Sequence, residues 1–329
     1  MAHSTVPAIT KEPETERHRG PVEVMSAPAR PVALSLLVSL RPAQWTKNLI
    51  VFAGLLFGQV GDAPAFLNPR AIAQAFGAFF IFCGLSGVVY LINDVADRDA
   101  DRLHPLKRHR PIASGAVSPG LALGTAVLLA AVALGSAWLL RPAFALVALS
   151  YVALLALYSG SLKHVVIIDV LTIAIGFVLR AVAGAVAIDV RDGISHWLLI
   201  LTILLALFLA LSKRRHELVL LADGATSHRP ILEEYSPYLL DQMIAVVTAS
   251  TLVSYVIYTI SPETVQKFHT DLLGLTLIFP LYGIFRYLYL VHQKEGGGSP
   301  ADMLLNDRPL LGCVALWAMT VTFIIYGAR

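Results

Sequence analysis

The fold is decided by residues 71–101, which read AIAQAFGAFFIFCGLSGVVYLINDVADRDAD. Residues 71–92 contain no charged side chain, and four aspartates follow within the next nine positions. A helix of about 20 apolar residues crosses the hydrocarbon core of a bilayer. The stretch therefore predicts a transmembrane helix that carries a group of carboxylates at one end.

Similar apolar blocks recur along the whole chain of 329 residues. Hydrophobic residues make up 57% of it and charged residues 14%, and its mean hydropathy is +0.70. Because an ordinary soluble domain contains about 25% charged residues, this composition excludes a soluble enzyme and a disordered chain. The blocks are long and unbroken, whereas a β-barrel would show short alternating segments.

We predict an all-α polytopic membrane protein with nine transmembrane helices. A polar string at residues 41–48 interrupts the first span. The predicted spans cover residues 33–59, 71–94, 120–140, 142–159, 166–189, 194–212, 240–260, 270–292 and 307–327.

The termini and loops predict the orientation of the chain. Residues 1–30 are polar, which predicts a disordered cytoplasmic tail without a secretory signal peptide, and residues 31–329 then form a single transmembrane domain. The loops after the even-numbered spans, with Arg308 at the start of the ninth span, carry twelve basic residues, and the loops after the odd-numbered spans carry four. The positive-inside rule places the N-terminus and the even-numbered loops on the cytoplasmic side of the plasma membrane.

The carboxylates after residue 92 fall on one helical face. At 100° per residue, Asn93, Asp94, Asp97 and Asp101 lie within an arc of about 100°, whereas Asp99 points away from them. Like charges at this spacing repel, and a low dielectric increases the repulsion. Mg²⁺ binds several carboxylates and completes its shell with water and phosphate oxygens, so it is the expected counter-ion. The alternative is a solvated helix end paired with nearby arginines.

The same loop carries a basic cluster, Lys107, Arg108 and Arg110, before Pro111. Such a cluster suits the residual negative charge of a Mg²⁺–diphosphate. The alternative is an ordinary basic loop that only sets the membrane topology.

Together these motifs resemble a known family. NDxxDxxxD at residues 93–101, followed by KRHRPIASG at 107–115, resembles the first aspartate-rich motif of the UbiA-type intramembrane prenyltransferase superfamily. RPAQWTKN at 41–48, KRRHEL at 213–218 and the glycines before Asp307 resemble its decaprenyl-phosphate phosphoribosyltransferase branch. This implies a UbiA-like helical bundle with a cytoplasm-facing cavity. It also implies transfer of 5-phosphoribose from phosphoribosyl diphosphate to a polyprenyl phosphate lipid, with Mg²⁺ as cofactor and release of diphosphate.

The resemblance also implies roles for single residues. Asp94, Asp97 and Asp101 would hold Mg²⁺, with Asn93 orienting the ligand shell. The phosphate of the acceptor would be steered by Lys163, Lys213, Arg214 and Arg215. Further candidate substrate contacts are Gln44, Lys47, Asn48, Tyr158, Asp169 and Glu217.

Two observations from the residues bear on these roles. Asp169 and Arg180 lie three helical turns apart, about 16 Å, so each needs its own partner. Gln44 and Asn48 are four residues apart and share a helical face, with Lys47 beside them. Asp169 is favoured as a site residue because it is the shallower of the two, and Arg180 remains either structural or cavity-lining.

The segment after the sixth span separates two enzyme hypotheses. Enzymes of the superfamily that use a prenyl diphosphate usually carry a second aspartate-rich motif there, but this chain reads KRRHE at 213–217. A basic cluster with one carboxylate suits a single diphosphate donor and a phosphate-bearing acceptor. The alternatives are prenyl transfer to an aromatic acceptor and, in another class, a transporter. We expect the bilayer and a small homo-oligomer as partners, and no nucleic acid.

Overall fold

The computed structural model describes residues 31–61, 63–105, 107–190, 193–222, 230–294 and 300–327. Within these ranges, eight helices are long and apolar enough to cross a membrane. The chain is therefore a multi-pass helical membrane protein. The α-helices are α1 (Val32–Ser39), α2 (Ala53–Phe57), α3 (Pro69–Ala96), α4 (Arg98–Leu103), α5 (Pro119–Leu140), α6 (Pro142–Gly160), α7 (Ile168–Ile188), α8 (His196–Ala222), α9 (Pro237–Ile260), α10 (Pro262–Phe268), α11 (Ile278–Gln293), α12 (Pro300–Asn306) and α13 (Arg308–Thr322).

The first predicted span, residues 33–59, is not one of these eight helices and is built from three shorter pieces. α1 ends at Ser39, Arg41 has a φ of 54°, and a 3-10 helix then runs over Pro42–Phe52 before α2. Pro42 has no N–H with which to continue the hydrogen bonding of α1. A two-stranded hairpin, β1 (Gln59–Val60) and β2 (Ala63–Pro64), leads to α3.

Several spans begin with a polar cap followed by proline. Asn68, Ser118, Ser236 and Asp307 each accept a hydrogen bond from a backbone N–H in the first turn of the next helix. The cap satisfies a donor that has no partner within the helix, and proline is tolerated at the first helical position. The start of α5 is therefore determined by its own first residues, Ser118 and Pro119.

The middle of the bundle contains a buried polar network around Arg180. Arg180 Nε donates to Asn48 Oδ1 at 2.8 Å, and Arg180 Nη2 donates to Tyr151 Oη at 2.6 Å. Ser86 Oγ lies 3.2 Å from Tyr151 Oη, and the guanidinium stacks on Phe177. Arg180 is thus part of the core that joins the 3-10 helix, α3, α6 and α7.

The packing around this network defines which helix ends meet. Phe52 packs on Phe76 and Phe79 of α3, whereas the earlier Asn48 contacts Cys83 and Ser86, so the first span is antiparallel to α3. Val51 lies against Gly184 of α7, whereas Asn48 bonds Arg180, so the first span is parallel to α7. α3 and α7 therefore run in opposite directions, and the carboxyl end of α3 lies at the same end of the bundle as the amino end of α7.

Ion pairs connect further helices at this end, which we call the charged end. They join α7 to α8, α8 to α9, and α11 to the cap of α13. At the opposite end, Arg141 Nη2 lies 2.7 Å from Asp189 Oδ2, and Tyr326 Oη donates to the carbonyl of Leu56. Of the ion pairs named here, all but the Arg141–Asp189 pair therefore lie at the charged end.

Candidate active site

The acidic segment is a bent helix rather than a straight one. α3 ends at Ala96, Asp97 leaves the helical conformation with ψ 6°, and α4 continues from Arg98. Asp94 and Asp101 are each only 3% exposed, whereas Asp97 and Asp99 face solvent. The expectation of one continuous helix through Asp101 is therefore wrong, because the chain breaks at Asp97.

Two arginines neutralise the buried carboxylates. Arg110 Nη1 lies 3.2 Å from Asp94 Oδ1 and 2.7 Å from Asp101 Oδ2, and Arg41 Nη2 lies 2.5 Å from Asp94 Oδ1. Arg41 also stacks on the ring of Tyr90. Asp94 and Asp101 thus converge on a single guanidinium nitrogen, but Asp97, which the shared-face prediction groups with them, faces solvent.

Mg²⁺ is the predicted counter-ion of these carboxylates, and pairing with nearby arginines is the alternative. Of those arginines, Arg102 pairs with Asp99 at 3.8 Å and donates to the carbonyl of Ala113, so it does not neutralise the buried carboxylates. Arg41 comes from 53 positions upstream, and its only sequence signal is its place at the start of RPAQWTKN. Sequence reasoning missed it as a site residue.

The donor chemistry at this tip suits a hard divalent cation. Carboxylate and amide oxygens are the ligands that Mg²⁺ takes in proteins, and Asp94, Asp97, Asp101 and Asn93 supply them within two turns. In the part of the chain that the structure describes, however, no group of three or more Asp, Glu, His or Cys side chains stands close enough to hold an ion. Arg110 takes the position between the two buried carboxylates.

The basic cluster is divided between two environments. Arg110 turns inward to the carboxylates, whereas Lys107 and Arg108 are exposed in a short 3-10 turn, Lys107–His109. The two exposed cations therefore face the solution from which a soluble anion would arrive.

A second charged cluster surrounds Asp169 at the start of α7. Arg214 Nε donates to Asp169 Oδ2 at 2.9 Å, and Tyr235 Oη donates to Asp169 Oδ1 at 2.8 Å. Arg214 also bonds Glu217, and Lys213 Nζ lies 3.7 Å from the other oxygen of that carboxylate. Asp169 and Arg180 thus have separate partners, as expected.

Tyr235 is the member of this cluster that sequence reasoning missed. It also accepts a hydrogen bond from the N–H of Ile167 at 2.7 Å, and Ile167 has a φ of 67°. A positive φ is rare for a β-branched residue, so the turn before α7 is strained. Burial raises the pKa of the Tyr235 hydroxyl to about 12. Tyr235 precedes α9 in a segment without any recognisable motif.

The remaining basic candidates have different surroundings. Lys163 lies half-buried in a 3-10 turn, Leu162–His164, between α6 and α7, and Tyr158 is half-buried at the end of α6. Arg215 Nε lies 2.5 Å from Asp241 Oδ1, and His292 approaches the same oxygen. Arg214 and Arg215 are thus both committed to carboxylates.

The polar string of the first span does not have the predicted face. In a 3-10 helix, residues three apart are eclipsed, so Gln44 lies above Lys47, and Trp45 lies above Asn48. The expectation that Gln44 and Asn48 share a face is wrong because the segment is not α-helical. Asn48 is 1% exposed and is bonded to Arg180, whereas Gln44 and Lys47 are half-buried. Trp45 Nε1 is buried without a hydrogen-bond partner among the described residues.

The two charged clusters lie on the same side of the Arg180 network. Asp94 is eight residues beyond Ser86 on α3, and Asp169 is eleven residues before Arg180 on α7. At 1.5 Å per residue these are about 12 and 16 Å, measured toward the charged end in both cases. Asp94, Asp101, Asp169, Arg110 and Arg214 therefore belong to one end of the bundle.

Comparisons with known proteins agree with this architecture. A model of the UbiA prenyltransferase family matches residues 48–306. The decaprenyl-phosphate phosphoribosyltransferase of Corynebacterium glutamicum is 32% identical over 301 residues, which cover 91% of this chain and 89% of that protein. The enzyme of the same name from Mycolicibacterium smegmatis is 33% identical over 309 residues, 92% of this chain and 95% of that protein.

Solved structures show the same fold at low identity. A UbiA homolog from Archaeoglobus fulgidus bound to GPP and Mg²⁺ has a TM-score of 0.67 and 19% identity, covering 88% of this chain and 99% of that chain. A UbiA homolog from Aeropyrum pernix K1 has a TM-score of 0.54 and 16% identity, with coverage of 88% and 98%. The chain therefore belongs to the UbiA prenyltransferase family and is a transferase built as a UbiA-type membrane helical bundle.

Proposed function

We propose that this transferase moves 5-phosphoribose from phosphoribosyl diphosphate to a polyprenyl phosphate and releases diphosphate, with Mg²⁺ as cofactor. The relatives that are 31–33% identical over nine-tenths of the chain carry the name decaprenyl-phosphate phosphoribosyltransferase. Their names support a polyprenyl phosphate as the acceptor.

The segment at the end of α8 is the structural observation that carries the proposal. Its single carboxylate, Glu217, is bonded to Arg214 and lies beside Lys213. Together with Asp169, these residues form a closed set of ion pairs rather than a second group of open carboxylates. This supports one diphosphate donor and does not favour prenyl transfer from a prenyl diphosphate to an aromatic acceptor.

The donor would bind at the carboxylates of residues 93–101, at the end of α3 and in α4, which we call the acidic tip. Asp94, Asp97 and Asp101 would hold Mg²⁺, with Asn93 orienting the shell, and the ion would supply positive charge that stabilises the leaving diphosphate. Arg110 and the exposed Lys107 and Arg108 add hydrogen-bond donors for the diphosphate oxygens. Arginine and lysine so placed stabilise the charge that grows as the bond to C1 stretches.

The acceptor phosphate would approach from the side of α6 and α8. Lys163 and Lys213 are the cations we assign to it: Lys163 is half-buried in the turn between α6 and α7, and Lys213 is 43% exposed and 3.7 Å from Glu217, whereas Arg214 and Arg215 are held by closer carboxylates. A phosphate oxygen forms the new bond to C1 of the ribose while the C1–O bond to diphosphate breaks, so C1 inverts. A phosphate monoester is already anionic, so the attack needs no strong general base.

The charged end would face the cytoplasm, where a soluble sugar diphosphate is available. The twelve-to-four distribution of loop cations supports this orientation and a cytoplasmic N-terminus. Residues 31–329 would form one catalytic domain in the plasma membrane.

The experiment is a product assay with purified protein in detergent. We expect radiolabelled phosphoribosyl diphosphate, polyprenyl phosphate and Mg²⁺ to yield a lipid-linked ribose phosphate and diphosphate. Asp94→Asn should abolish the product while leaving the protein folded. Absence of a labelled lipid, with turnover of a prenyl diphosphate instead, would reject the proposal in favour of prenyl transfer.

A further inference from the structure

We propose that Arg110 and Arg41 hold the buried carboxylates of the acidic tip in place of a metal ion, so that the metal and the donor diphosphate bind together. On binding, the two guanidiniums would pass from the carboxylates to the diphosphate. This inference rests on the proposed function, since it assumes that the donor is a sugar diphosphate.

The two buried carboxylates of the acidic tip need counter-charges. Asp94 and Asp101 are both 3% exposed, so two carboxylates have been taken out of water close to each other. Buried charges are costly unless they are paired and hydrogen-bonded. Arg110 Nη1 bonds both carboxylates, and Arg41 bonds Asp94 as well. The two arginines thus balance the two buried charges without any metal.

An ion and the Arg110 guanidinium would compete for the same position between the carboxylates. A cation held jointly by Asp94 and Asp101 would lie between the two carboxylates, and Arg110 Nη1 now lies between them, bonded to both. Mg²⁺ binds oxygen at about 2.0–2.1 Å. An ion and a guanidinium cannot occupy that position together, and their like charges repel. Arg110 must therefore leave when an ion bridges the carboxylates.

The arginines of the acidic tip are more accessible than the arginine that pairs with Asp169. The side chains of Arg41 and Arg110 are 29% and 30% exposed, so neither is sealed inside the bundle. At the other cluster, Arg214 is 3% exposed against an Asp169 that is fully buried. The acidic tip therefore has a replaceable partner, whereas the Asp169 cluster has a fixed one.

The diphosphate of the donor offers new hydrogen-bond partners to the displaced arginines. A displaced guanidinium needs an anion, and a diphosphate offers paired oxygens that suit its planar fork. The diphosphate would arrive with the ion that displaces the arginines. Metal alone would have to break the Arg110 bonds without compensation, so its affinity in the absence of the donor is held down.

The test measures binding without turnover, on the full-length protein in detergent. Mn²⁺ affinity is measured by electron paramagnetic resonance, and phosphoribosyl diphosphate is measured by retention of the radiolabelled compound in the presence of Mn²⁺ and absence of acceptor. The variants are Arg110→Gln and the milder Arg41→Gln. The matched control is Arg141→Gln, which removes an Arg–Asp pair at the opposite end of the bundle.

We expect Arg110→Gln to bind Mn²⁺ at least tenfold more tightly than wild type, and to bind phosphoribosyl diphosphate at least tenfold more weakly. Arg41→Gln should shift both affinities in the same directions by less, and Arg141→Gln should shift neither. A merely structural role for Arg110 would weaken both ligands. Mn²⁺ should also raise the melting temperature of Arg110→Gln more than that of wild type, which detects the effect even where the variant is less stable.

Two results would overturn the inference in distinguishable ways. Unchanged or weaker Mn²⁺ binding in Arg110→Gln, with binding abolished in Asp94→Asn, would reject the arginine substitution and leave the proposed metal site standing. Failure of the wild-type protein to retain phosphoribosyl diphosphate would reject the proposed donor, and the exchange of partners with it.

Discussion

Arg214 Nε donates to Asp169 Oδ2 at 2.9 Å, and both side chains are almost completely buried although they lie 45 positions apart. The bond joins the end of α8 to the start of α7. Tyr235 donates to the other oxygen of Asp169, and Glu217 accepts from Arg214 Nη1. A charge pair with this many partners holds two helix ends in one geometry, beside the turn that carries Lys163.

Asp169→Asn should strongly destabilise the protein. Removing one charge of a buried pair typically costs about 3–5 kcal/mol, and Arg214 would keep only Glu217, whose side chain is 28% exposed, as a carboxylate partner. The free energy of unfolding in detergent measures the effect. Asp189→Asn is the control, because Asp189 pairs with Arg141 through a side chain that is 74% exposed, and it should change stability little. Equal effects of the two substitutions would contradict the structural role of Asp169.

Tyr235→Phe should loosen the turn before α7. It removes the bond to Asp169 and the acceptor for the Ile167 N–H, and a buried group left without its partner typically costs about 1–3 kcal/mol. Because Lys163 lies in the adjacent turn, we also expect a higher KM for the acceptor with a smaller change in kcat. The exposed Tyr238 provides the control Tyr238→Phe, which should leave stability and KM unchanged.

Tyr235 should also contribute to the alkaline stability limit. Its pKa is raised from 10.0 to about 12, so the folded state binds the proton more tightly than the unfolded state does. The contribution is fully present below pH 10 and is lost as the pH rises toward 12. Unfolding measured between pH 8 and 11 should therefore show a steeper loss of stability above pH 10 in wild type than in Tyr235→Phe. Parallel curves would argue against the raised pKa.

Asp97→Asn and Asp99→Asn should separate catalysis from surface charge. Both aspartates are exposed in the same short segment, but only Asp97 is assigned to the metal, and Asp99 pairs with Arg102. We expect Asp97→Asn to lower kcat by about 100-fold or more, as loss of a charge-stabilising group does, and Asp99→Asn to stay near wild type. Near-normal rates in Asp94→Asn and Asp97→Asn would remove the metal assignment.

Asn48 and Arg180 should be energetically coupled. Arg180 is 7% exposed and donates to Asn48 from 132 positions away. Residues that share a buried network typically show coupling of about 0.5–3 kcal/mol in a double-mutant cycle. We expect this for Asn48→Ala combined with Arg180→Met, measured by thermal unfolding. Additive effects would show that the bond contributes nothing specific, and a large loss of donor binding in Asn48→Ala alone would restore its predicted substrate contact.

The amino-acid sequence by itself determined the fold class and the position of the acidic tip. Span length and hydropathy are local properties, and they identified eight helices within about three residues of their observed ends, except that α8 continues to Ala222, ten residues beyond the predicted end. Asp94 and Asp101 could be placed on one face because helical geometry relates neighbours in the chain, whereas the break at Asp97 was not predicted. The cap at Ser118 was equally local.

Only the tertiary structure decided which charges meet. Arg41 reaches Asp94 across 53 positions, and Tyr235 reaches Asp169 across 66, and no local period relates such pairs. The 3-10 geometry of Pro42–Phe52, which moved Asn48 into the core, was also set by packing against α3 and α7. Hydrophobic periodicity determines where helices form. A buried charge, in contrast, is stabilised by whichever partner the packed bundle brings within hydrogen-bond distance.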